Sequence, residues 1–145
     1  MINFNNSKIT FFLVGLLVSY VTKADVHNIN AGDFYYSPST LTINLGDTVN
    51  WYNDDGGLHD VNGETNSISG ESFYNPESFT SVQPISTIGA LIHSHVFNVP
   101  GVYNYDCSIG NHAQNGMVGS ITVQMTNEIQ TPQNPVNITF RVNMQ

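Results

Sequence analysis

Basic residues, cysteine and helical periodicity are all scarce in this chain. Lysine and arginine together number 3, against 11 aspartates and glutamates in 145 residues. A surface so poor in positive charge repels nucleic-acid phosphates and anionic lipid headgroups, and its field attracts basic partners. The same acids would also serve simply to keep the protein soluble. There is 1 cysteine, Cys107, so no disulfide can form within the chain. Apolar residues nowhere recur at the period of an amphipathic helix. The one long apolar run, Phe11 to Val21, has eleven residues, well short of the roughly 20 that a membrane-spanning helix needs.

That run has the features of a secretory signal. Lys8 provides a basic start, no charge interrupts the apolar stretch, and Thr22-Lys23-Ala24 ends on a small residue suited to cleavage. Residues 1–24 are therefore read as a signal peptide, with a short membrane anchor or a buried segment as the alternative. Export to the periplasm or the extracellular space follows, with membrane contact only through the signal before cleavage. No cysteine follows the run, which argues against a lipid anchor. Removing Lys8 and Lys23 from the three bases leaves Arg141 against the 11 acids, a formal charge of −10. In an oxidising compartment a lone thiol is buried and inert, paired between chains, or occupied by a metal.

Short alternating stretches separated by turn residues mark an all-β chain. Leu41-Thr42-Ile43 leads through Gly46-Asp47 into Thr48–Asn53, and Asp54-Asp55-Gly56-Gly57 breaks the chain before Leu58-His59-Asp60-Val61. Residues 62–90 read as a long irregular excursion rich in Ser, Asn, Gly, Glu and Pro. Leu91–Val99 alternates Leu91, His93, His95 and Phe97 against Ile92, Ser94, Val96 and Asn98. Beyond the Pro100-Gly101 turn, Val102–Cys107 alternates again, and Val118–Met125 closes the domain. The expected architecture is a Greek-key β-sandwich of about seven or eight strands over residues 25–126, with Trp51 and the Phe and Tyr side chains in its core. Residues 127–136 look like a linker, and 136–144 alternate like one more strand or the front of a further domain.

The chemistry concentrates between two strands. Cys107, His112 and Met117 stand five residues apart in Tyr105-Asp106-Cys107-Ser108-Ile109-Gly110-Asn111-His112-Ala113-Gln114-Asn115-Gly116-Met117. Three side chains from one tight loop can converge on one point, and His59, after its own Gly-rich turn, is the candidate for a fourth. Thiolate, two imidazoles and a thioether form a mixed soft and borderline donor set that suits copper as it cycles between Cu(I) and Cu(II). Zinc would also bind, but structural zinc sites do not use methionine.

The pattern Tyr-x-Cys, then His, then Gly-Met-x-Gly resembles the cupredoxins, the blue copper family of plastocyanin, pseudoazurin and auracyanin. The likeness extends upstream through Phe34–Ile43, Gly46-Asp47-Thr48-Val49-Asn50-Trp51, His59-Asp60-Val61 and Phe97–Tyr103, and it covers residues 26–125. It implies a single type 1 copper ion, with His59, Cys107 and His112 as strong ligands and Met117 as the weak axial one. It also implies that His112 shows its edge to solvent within an apolar patch through which electrons pass, with Ile109, Ala113 and Gly116 as candidate members. Two departures stand out. Asp60 replaces an Asn that ties the ligand loops together, so it can accept hydrogen bonds but not donate amide ones. Asp106 replaces the Tyr that offers plastocyanin a remote electron route, so no second route is expected here.

The resemblance implies a carrier of single electrons between redox protein partners, some with basic docking surfaces. It implies no catalytic residues and no small-molecule substrate, because four protein ligands leave no open position on the metal. Copper storage or delivery, or a role as one domain of a larger exported oxidoreductase, is the alternative. His93 and His95 lie two apart on one strand and so share a face. A second metal site there is less expected than a face that merely carries two histidines. If cleavage follows Ala24, the terminus Asp25-Val26-His27 could chelate Cu(II), but His27 is expected on the first strand and such binding to be incidental. A Cys-His hydrolase would need an orienting third residue and usually a helix beneath the cysteine, and the sequence suggests no helix there.

Overall fold

A computed structural model describes residues 23–125. Residues 1–22 of the signal peptide read over 1–24, and the linker and closing strand over 127–145, lie outside the described residues.

Among the described residues seven strands are present: β1 Val26–Gly32, β2 Tyr35–Ser37, β3 Thr40–Asn44, β4 Thr48–Asn53, β5 Leu91–Val96, β6 Gly101–Asp106 and β7 Val118–Gln124. They form one sheet of order β2-β1-β4-β5 and a second of order β3-β7-β6. Two parallel pairings, β1 with β4 and β3 with β7, join strands distant in sequence. The remaining pairs are antiparallel. Among the described residues no helix is long and apolar enough to cross a membrane.

Strand alternation carries the core. Val49 and Trp51 from β4, Ile29 and Ala31 from β1, Tyr103 and Tyr105 from β6 and Ile121 and Val123 from β7 are buried together. The irregular excursion over 62–90 contributes one large anchor, Phe79, whose ring stacks 5.9 Å from Trp51 and lies edge-on to Phe97 at 5.5 Å. Truncating a buried ring of this kind to alanine costs about 3–5 kcal/mol, so this side chain is the main apolar anchor of the excursion.

The strand expected over Leu91–Val99 ends at Val96. Phe97 instead exchanges backbone bonds with the Gly46-Asp47 turn, at 2.8 and 3.0 Å. Its early part also departs from simple alternation. Trp51 pairs with His93 but Tyr52 pairs with Leu91, so Ile92 is an extra residue in the ladder. Such a bulge switches faces: Ile92 turns inward at 7% exposure and Leu91 outward at 46%.

His93 and His95 do share a face, their rings 6.1 Å apart and nearly parallel. His95 Nε2 is paired with Glu77 at 3.3 Å. No third ligand-type side chain groups with the two histidines among the described residues. His27 lies on β1, its Nε2 2.9 Å from Asp47 Oδ2.

His93 is packed against Trp51, with ring centroids 5.7 Å apart, and its buried Nε2 has no hydrogen-bond partner. Burial first, and the neighbouring His95 second, push its pKa below the ordinary 6.5. The unfolded chain therefore binds this proton more readily than the folded one. The stability that neutral His93 contributes is complete above about pH 6.5 and is lost as pH falls toward the folded value. Urea denaturation between pH 7.5 and 5 is expected to show falling stability, with a shallower fall in His93→Phe. Equal slopes for the two proteins would refute this assignment.

Candidate metal centre

The first residue of the site is set by the turn before it. Asn53 ends β4 fully buried, and its amide donates to the carbonyls of Gly57 and Ile85 at 2.7 and 2.8 Å while its oxygen accepts the Gly56 N–H at 2.7 Å. His59 then exchanges a backbone pair with Ile85, at 3.0 and 2.8 Å. Its side chain is completely buried, with Nε2 3.0 Å from Asp55 Oδ1 and Nδ1 without any hydrogen-bond partner.

The other residues come from the loop between β6 and β7. The Cys107 N–H donates to the Met117 carbonyl at 3.1 Å, and the Met117 N–H donates to the His112 carbonyl at 3.0 Å. These bonds fold the Cys107–Met117 loop back on itself. One turn of 3-10 helix, Ala113–Asn115, follows His112, where the sequence suggested no helix. It ends at Gly116 with φ +109°, a left-handed conformation that glycine adopts without a Cβ penalty. Cys107 and Met117 are buried and His112 is half-buried.

The two loops bring three of the four candidate side chains together. Cys107 Sγ lies 3.4 Å from His112 Nδ1, and the rings of His59 and His112 are 5.2 Å apart. Ligand atoms of His59, Cys107 and His112 all fall within 4.8 Å of one another. Met117 joins the hydrophobic core beside them at 0% exposure. A buried imidazole nitrogen without a partner is a costly arrangement in protein alone. Beside a thiol and a second imidazole it has the chemistry of a metal ligand, and this donor set fits copper. Burial pushes the Cys107 thiol up to about 12, so only a cation at the site would hold it as thiolate at neutral pH.

Asp60 joins the two loops in the way its charge permits. Its Oδ1 accepts the Ser108 N–H at 2.7 Å and its other oxygen accepts the Ser108 hydroxyl. The Tyr36 hydroxyl donates to the Asp60 carbonyl at 2.6 Å. Asp106 is buried and structural: its carboxylate accepts from Asn62 at 2.8 Å and from the Ser67 N–H and hydroxyl at 2.6 and 2.8 Å.

Sequence reasoning missed two neighbours. Phe34, exposed and at φ +63°, sets its ring edge-on to His112 at 5.3 Å. Of the patch members expected around His112, Ala113 is buried because the 3-10 turn faces it inward. Asp55 is the second miss, and the only signal for it was an acid four residues before His59 across Gly-Gly. Asp33, Asp55 and His59 form a second group of ligand-type side chains. Both Asp55 oxygens already accept N–H bonds, from Gly57, His59 and the Asp33 backbone, which marks this group as scaffold for His59.

Residues 23–124 match the sequence profile of the copper-binding proteins of the plastocyanin/azurin family. The chain belongs to that family. Plastocyanin from Scenedesmus fuscus is 32% identical over 95 residues, covering 66% of this chain and 92% of the relative. A purple cupredoxin from Nitrosopumilus maritimus is 30% identical with a TM-score of 0.52, over 68% of this chain and 99% of that one. A Sinorhizobium pseudoazurin, at 19% identity and a TM-score of 0.50 over 69% of this chain and 74% of its own, shares the fold. Copper is thus the cofactor of this cupredoxin, and the all-β sandwich is the one the motif implies.

Removing the Asp60 carboxylate strips two bonds from Ser108. Asp60→Ala is expected to lower stability by about 1–2 kcal/mol. Asp60→Asn should cost less, because its amide oxygen can still accept the Ser108 N–H. Urea titration of the metal-free proteins measures both, and an Asn variant as unstable as the Ala variant would contradict this.

Proposed function

We propose that this cupredoxin is a one-electron carrier whose single copper ion is held by His59, Cys107, His112 and, axially, Met117. The observation that carries the proposal is Nδ1 of His59, buried and without a protein partner, on a ring that groups with Cys107 and His112. Copper supplies the one-electron couple that the side chains themselves lack.

The chain supplies the rest. Buried His59, Cys107 and Met117 exclude water, and the backbone bonds among Cys107, His112 and Met117 hold the donors in one geometry. Donors fixed in this way have little to rearrange when the charge changes. Half-buried His112, against exposed Phe34, offers the edge through which an electron leaves. Four side-chain ligands leave no position for a substrate, which favours a carrier over an enzyme. Exposed Asp33 precedes Phe34, and exposed Asp54 and Asp55 accept bonds from Tyr35 and Asp33 on either side of it, an acidic rim that favours redox partners with basic docking surfaces. The apolar run at 11–21 and the unpaired cysteine support export, with residues 1–24 removed as a signal peptide and the domain 25–126 working in the periplasm or outside the cell.

Adding Cu(II) to the chain expressed without residues 1–24 is expected to produce an intense visible thiolate-to-copper band. Cys107→Ser should abolish the band, and Met117→Leu should keep the colour while shifting the reduction potential. A well-folded protein that takes up Cu(II) without the band would sink the assignment.

A further inference from the structure

We infer that Asp55 is a positioning residue for the copper centre: its carboxylate holds the proton of His59 on Nε2, aims Nδ1 at the metal, and stabilises Cu(II) relative to Cu(I). This inference rests on the ligand set proposed above.

Four observations converge on it. The His59 ring is fully buried, and its Nε2 meets Asp55 Oδ1 at 3.0 Å while Nδ1 meets no hydrogen-bonding group. A carboxylate can only accept, so Nε2 must carry the proton and Nδ1 must present its lone pair. The carboxylate is itself held: Oδ1 accepts the Gly57 N–H at 2.8 Å and Oδ2 accepts the Asp33 N–H. The turn is shaped for this contact, since a Cβ on Gly57 would fall 2.7 Å from His59 Nε2 and 3.2 Å from Asp55 Oδ1. Only glycine at this position lets the carboxylate and the ring meet.

The consequence is electrostatic. An anion hydrogen-bonded to a ligating imidazole raises its basicity and the electron density it donates. Cu(II) carries one more positive charge than Cu(I), so the oxidised ion gains more from it. Asp55 therefore lowers the reduction potential. Its neighbour Asp54 has the same charge but accepts no bond from His59; its carboxylate accepts from the Tyr35 hydroxyl at 2.6 Å. Asp54 is thus an internal control for charge without contact.

The test compares Asp55→Asn, Asp54→Asn and the parent chain. Asn can still accept the Nε2–H bond, so Asp55→Asn should fold, bind copper and keep the visible band. Its preference for Cu(II) over Cu(I) should fall roughly tenfold, read by voltammetry as a potential about 59 mV higher. Asp54→Asn should shift it by much less. Nitrogen-15 NMR of the metal-free parent should find His59 as the Nε2–H tautomer. Equal shifts in the two variants, no shift in Asp55→Asn, or the Nδ1–H tautomer would each overturn the inference. No visible band in the parent would instead overturn the ligand set, which the potentials of coloured variants cannot do.

Discussion

Leaving Nδ1 of His59 buried and unpaired costs the folded chain on the order of 1–3 kcal/mol, and much of the surrounding structure serves to keep it so. Asn53 pins the preceding turn by three hydrogen bonds, and Ile85 clamps the backbone of His59 from the far side. Asp55 occupies the other ring nitrogen. With both its backbone and Nε2 committed, the imidazole cannot rotate to find a protein partner. Fixing a side chain in this way exposes a lone pair in a dry site, which is what a strongly bound metal requires.

The second half of the site is organised by different means. The Cys107–Met117 loop closes on itself through backbone bonds and a left-handed Gly116. It is then tied to the His59 loop by Asp60, and β6 is tied to the excursion by the buried carboxylate of Asp106. The seemingly irregular segment 62–90 is thus part of the frame. Phe79 packs it into the core, and isolated bridges at His59–Ile85 and Asn62–Asp106 stitch it to both ligand loops. Donors tied at so many points change position little when the metal changes charge.

Charge and exposure divide the work at the surface. His112 and Phe34 form the half-open edge of an otherwise sealed site. Asp55 faces both ways: partly exposed to solvent and in contact with fully buried His59. Burial works to raise its pKa, but the bonds from Gly57, His59 and Asp33 outweigh this and keep it below the ordinary carboxylate value. It stays anionic at neutral pH.

Much of this was legible in the residue order. Strand β4 follows from strict alternation, and the Cys-His-Met loop follows from spacing, because both depend on residues close together in the chain. The lone cysteine and the five-residue intervals carried the metal, and the flanking motifs carried the family. Other features needed the tertiary structure. The bulge at Ile92 exists only because β4 opposes β5, so no period within β5 could announce it. Phe34 meets His112 across 78 positions of chain. Asp55 lies only four residues from His59, yet its role depends on Gly57 allowing the carboxylate to reach the ring and on Asn53 and Ile85 holding the turn. Sequence by itself determined which donor atoms were available; only the folded chain decided which nitrogen of His59 is left without a protein partner, because that choice is made by Asp55 on one side of the ring.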